Sequence, residues 1–110
     1  MAYNSITVNA GGIPLLPSTN VIVGTESVDV ALGFRRIQPI GLIIIRMDSQ
    51  IPSDATDTLP ITLTLNGTTR NLLWGNGTAV TVKDLLGVSS FLVFNDRFSG
   101  LLTMMSRTAN

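Results

Sequence analysis

The 110-residue chain contains no cysteine and no histidine. Without cysteine there is neither a disulfide framework nor a thiolate metal site, and thiol usage points to no redox compartment. Without histidine the chain lacks the commonest general base, the commonest transition-metal ligand and the one side chain whose charge ordinarily changes near neutral pH. Charge of either sign is scarce too, at 13% of residues, against roughly 25% in an ordinary globular chain. Seven basic and seven acidic residues cancel, so no long-range field steers the protein onto nucleic acid or an anionic membrane. Electroneutrality near a pI of 6.0 instead favours self-association. Lys83 is the sole lysine and falls in an expected turn, which leaves every serine and threonine without a ready activating base. These gaps lead to the expectation of a protein that is not an enzyme and needs no cofactor.

Long apolar runs are missing as well. The longest stops at Arg46, well below the roughly 20 residues that span a bilayer. The opening Met1-Ala-Tyr-Asn-Ser carries no basic n-region, so the expectation is synthesis in a cytoplasm and no membrane contact.

What is present is apolar and β-forming. Hydrophobic residues make up 45% of the chain and the mean hydropathy is +0.41. At this length a single domain is expected. Residues 40–45 read Ile-Gly-Leu-Ile-Ile-Ile, between Pro39 and Asp48-Ser49. A strand that does not alternate needs cover on both faces, so this stretch is predicted to be the central strand. Residues 1–20 hold one short strand, over 5–9, followed by Gly11-Gly12-Ile13-Pro14-Leu15-Leu16-Pro17. With so many breakers, 1–20 is predicted to be an extended N-terminal arm preceding one β-domain over 21–110. Ile13, Leu15 and Leu16 would not be left in water on such an arm, so it is expected to lie against its own domain or, failing that, a neighbouring subunit, in which case the three are candidate assembly contacts.

Short strands are expected over 20–23 and 27–32, then a turn carrying Arg35 and Arg36, whose charges fit solvated pairing better than a phosphate site. Residues 59–65 alternate cleanly, with Leu59, Ile61, Leu63 and Leu65 on one face. Asn66-Gly67, the dipeptide that best tolerates positive φ at both central positions of a type I′ turn, predicts a hairpin back through residues 68–74. Residues 79–82 read as another strand, and 83–87 as at most a 3₁₀ turn capped by Asp84. The strands over 90–95 and 101–105 form a hairpin with Gly100 at a left-handed position. Eight or so short strands without a long helix predict an all-β fold, an antiparallel β-sandwich or small barrel.

Two surface features carry possible chemistry. Asp48, Asp54 and Asp57 lie in one polar loop, but they lack the alternate spacing and closing glutamate of an EF-hand, and Pro52 interrupts them, so no metal site is expected. Trp74 beside Gly75-Asn76, at the end of an apolar strand, reads first as a core anchor, with a sugar-stacking platform as the alternative. Trp74 with Asp48, Asp54 and Asp57 would form the contact surface of a small ligand- or carbohydrate-binding module.

Residues 39–105 also carry a resemblance. A buried apolar strand and an acidic Ile51-Pro52 loop lead to Leu59-Pro-Ile-Thr-Leu-Thr-Leu-Asn-Gly, Val80-Thr-Val-Lys-Asp-Leu and Phe91-Leu-Val-Phe-Asn-Asp-Arg-Phe-Ser-Gly-Leu-Leu-Thr-Met. This order resembles the small β-rich structural proteins of tailed bacteriophages that decorate heads or contribute to head and tail fibres. The resemblance implies a virion protein, made in the host cytoplasm, whose partners are copies of itself and other virion proteins.

Overall fold

The computed structural model describes residues 7–8, 13–33, 40–96 and 99–109, with the backbone alone described for 7, 8, 108 and 109. The fold is all-β. Its strands are β1 (Thr7–Val8), β2 (Pro14–Val23), β3 (Val28–Leu32), β4 (Gly41–Arg46), β5 (Ile61–Leu65), β6 (Thr68–Trp74), β7 (Val88–Asn95) and β8 (Leu102–Ala109), with one helical turn, α1 (Val82–Leu85), before β7. Seven strands close into a barrel in the order β2-β3-β5-β6-β8-β7-β4, and pairing of β4 with β2 completes the ring.

Of the two architectures expected, the fold is the small barrel and not the sandwich; the expected antiparallel pairing is corrected, because the barrel is mixed, with β2–β4, β3–β5 and β6–β8 paired in parallel. Residues 14–20, expected in an extended arm, belong to β2. The prolines that argued against regular structure sit where the ladder can spare an N–H: Pro14 is the first residue of the strand, and Pro17 lies where β2 passes from β4 to β3. The register slips between Ser18 and Asn20 at that handover. Most of the predicted short strand over 5–9 and the Arg35-Arg36 turn lie outside the described residues.

Alternation sends one side of each strand inward. Val28, Val30 and Leu32 of β3, Ile43 and Ile45 of β4, Ile61, Leu63 and Leu65 of β5, and Phe91 and Val93 of β7 are all buried. Leu16 joins them from β2, fully buried. The loop after β4 is anchored rather than loose: Ile51 enters the core, and Ser18 and Ser49 exchange two hydrogen bonds, Ser49 N to Ser18 Oγ at 2.8 Å and Ser18 Oγ to Ser49 O at 3.1 Å. Residues 79–82 form bridges at Ala79 and Thr81 rather than a strand. The expected 3₁₀ turn is one turn of α-helix, with Thr81 at its N-cap and Asp84 in its first turn. Asn66 (φ 53) and Gly67 (φ 82) both adopt positive φ, the type I′ geometry read from the dipeptide. Among the described residues no helix is long and apolar enough to cross a membrane.

Candidate functional site

The barrel is filled. Leu32, Ile43, Ile45, Leu63, Leu65, Val93 and Leu102 leave a cavity of about 10 Å³, room for a single water at most. Arg70 lies at one end of this interior, where its guanidinium donates to Asn95 Oδ1 (2.9 Å) and to the Gly100 carbonyl (3.2 Å). A packed lumen places any recognition on the outside of the barrel.

That outside is divided. Over β3, β5 and β6 it is polar and internally bonded. Thr62 and Thr64 both donate to Asp29, at 2.7 and 2.8 Å, and the Thr64 and Thr69 hydroxyls lie 2.7 Å apart. Over β4, β7 and β8 it is apolar. Leu42 faces Phe94 and Ile44 faces Leu92 across the β4–β7 ladder, and Leu15 flanks Ile44 from β2. Exposure is 39% at Leu42, 40% at Phe94 and 54% at Met105, with Ile40 at 55% and Leu101 at 49% at the same end of the barrel. Cover on both faces was expected for residues 40–45; the structure buries one face, while on the other Leu42 is exposed and Ile44 half-buried. A groove of about 240 Å³ opens on this surface beside Ile13, Ile44, Ser90, Leu92 and Ser106.

Of the candidate assembly contacts, Ile13 and Leu15 are half-buried and border this surface, while Leu16 points into the core and is unavailable to a partner. The residues that make most of the surface, Leu42, Phe94 and Met105, were missed. The signal was present: Leu42 and Ile44 on β4 and Leu92 and Phe94 on β7 are apolar at outward positions before the row ends at Arg46 and Ser90, which reads equally as double burial or as a docking face.

Trp74 belongs to a different cluster. Its indole N–H donates to Asp84 Oδ2 (3.3 Å), the Arg107 guanidinium stands 5.4 Å from its ring centroid, and its body packs on the core. Asp84 is the hub. It accepts from the Thr81 amide (3.0 Å) and hydroxyl (3.3 Å), lies 3.4 Å from Arg107 Nη1, and gives its backbone carbonyl to the same guanidinium at 2.8 Å. Burial pushes the Asp84 carboxyl up, but the Thr81 amide, the Trp74 indole, the Thr81 hydroxyl and Arg107 together hold it below the ordinary carboxylate range.

Trp74 therefore finds its carboxylate in Asp84 and not in Asp48, Asp54 or Asp57. Those three are exposed. Asp48 is taken by Arg46, through Nε to Oδ1 at 2.7 Å and Nη2 to Oδ2 at 3.0 Å. These hydrogen bonds hold the Asp48 carboxyl low. Among the described residues no three His, Cys, Asp or Glu side chains converge on a point that would hold a metal ion. No protein-family model, curated protein or solved structure matches the chain.

Proposed function

We propose that the protein is a non-enzymatic structural component of a tailed-phage particle, of the head-decorating or fibre type. It is made in the host cytoplasm and assembles as a homo-oligomer alongside other virion proteins. The observation that carries this reading is the uncharged apolar surface over β4, β7 and β8, set on a barrel whose interior is filled. A soluble monomer rarely exposes a contiguous apolar patch of more than a few hundred Å², and such patches mark sites of protein association. The charge-poor composition and the resemblance of residues 39–105 to phage structural proteins point the same way.

Less supports the carbohydrate-binding alternative: Arg107 lies over the Trp74 ring, and the indole N–H is engaged by Asp84 rather than by Asp48, Asp54 or Asp57. Quantitative mass spectrometry of purified particles tests the proposal. The expected result is this chain in a fixed ratio to the major capsid or fibre protein, encoded beside capsid, portal or tail genes. A chain abundant in infected cells and absent from particles would overturn it.

A further inference from the structure

We infer that the apolar surface of β4, β7 and β8 is the contact between two copies of this chain, related by a two-fold axis, with Phe94 of each copy seated in the groove of the other. The inference rests on the homo-oligomer proposed above and names its interface.

Three features select a second copy as the occupant. The first is charge. The surface is bordered by Arg46, already neutralised by Asp48 at 2.7 Å, and by Asp96, which accepts from the Ser99 amide at 3.4 Å. Between these borders Leu42, Ile44, Leu92, Phe94 and Met105 carry no charge, so an identical surface meets no repulsion, and the chain as a whole nets zero. The second is shape. The projecting side chains and the depression lie on the same face: Leu42 and Phe94 form one cross-strand pair, and the groove opens beside the next outward pair, Ile44 and Leu92. An isologous contact requires that each copy offer both the projection and its receptor, because residue i meets j while j meets i. A rotation about an axis near Leu92 brings Phe94 of one copy over Ser90 and Ser106 of the other, and simultaneously the reverse. The third is extent. The exposed parts of Ile40, Leu42, Phe94, Leu101 and Met105, with half-buried Leu15, Ile44 and Leu92 between and beside them, give the small apolar centre around which a rim completes an interface of roughly 800 Å² per partner. Two such faces pack as two sheets do, about 10 Å apart with interdigitating side chains.

Native mass spectrometry at micromolar protein reads the stoichiometry, and the absence of cysteine gives a clean background for cross-linking. The wild-type chain is expected to be a dimer. Phe94→Glu and Met105→Glu are each expected to give a monomer with an unchanged far-UV spectrum. Phe94→Cys mixed with Ser90→Cys under oxidation is expected to yield a disulfide-linked dimer that neither variant forms alone. Should Phe94→Glu fail to fold, the cysteine mixture decides the matter. A wild-type oligomer that persists in both Glu variants and leaves the mixed cysteines unlinked would overturn the interface while the homo-oligomer stood. A wild-type monomer would overturn the interface and self-assembly together, leaving the particle location to the composition of purified particles.

Discussion

Phe91 and Phe94, three positions apart on β7, face opposite sides of the barrel wall and answer to different physics. Phe91 is 2% exposed among the inward side chains, and Phe91→Ala removes an entire phenyl ring from a packed core, at a cost of about 3–5 kcal/mol. That is a large part of the stability of a small domain. A melting temperature within a degree or two of wild type would contradict the inward placement. Asp84 makes a second claim at this scale. Its carboxyl is held below the ordinary carboxylate range, chiefly against burial, by Thr81, Trp74 and Arg107. A carboxylate that ionises more readily in the folded chain than in the unfolded one stabilises the fold fully above its unfolded pKa, near 3.9, and that stability is lost as pH falls through its lower folded pKa. Asp84→Asn is therefore expected to melt below wild type at neutral pH, with the gap closing as the pH falls below about 4. Asp48 titrates in the same direction but is common to both proteins, so it drops out of the difference. A gap that held constant from neutral pH into acid would show that Asp84 does not act through its charge.

Among the elements, β2 bears most on how the barrel holds together. Leu15, Leu16 and Pro17 pair with Ile44, Ile45 and Arg46 and so make the closing seam, and Leu16 is part of the core. Deleting residues 1–17 is therefore expected to abolish cooperative folding rather than merely to prevent assembly. A truncated chain that retained the wild-type far-UV spectrum and a sharp thermal transition would place the seam elsewhere. Local chemistry made several elements legible in the sequence: alternation over 59–65 marked the strand, which starts two residues later at Ile61, Asn66-Gly67 marked the turn after it, and Gly100, at φ +74, is in the left-handed region expected of it. What local chemistry could not convey was pairing across distance. Prolines at 14 and 17 argue against a strand unless it is known that β2 changes neighbours at Pro17, and parallel partners such as β3–β5 leave no mark on either strand alone. The candidate site was half legible for the same reason. An apolar outward row on β4 and β7 is the same string of letters whether a second layer, a partner or solvent lies over it.

At the scale of the molecule, the closed seven-stranded ring leaves, among the described residues, only the two-residue β1, paired with β2 alone, as a sheet edge of the kind through which β-proteins most readily associate, and it is too short to carry a stable contact. Association must then use a face, and the outer faces differ: Asp29 organises a threonine-rich, hydrogen-bonded half, while Leu42, Ile44, Leu92, Phe94 and Met105 leave the other half apolar. With a filled interior and dispersed carboxylates, the proposed self-association falls to that apolar half. Sedimentation velocity of the intact wild-type chain over a dilution series tests this most directly. A two-fold dimer sediments as a species of twice the 11.7 kDa chain mass at micromolar concentration and dissociates on dilution; sedimentation at 11.7 kDa across the whole series, without aggregation, would contradict it.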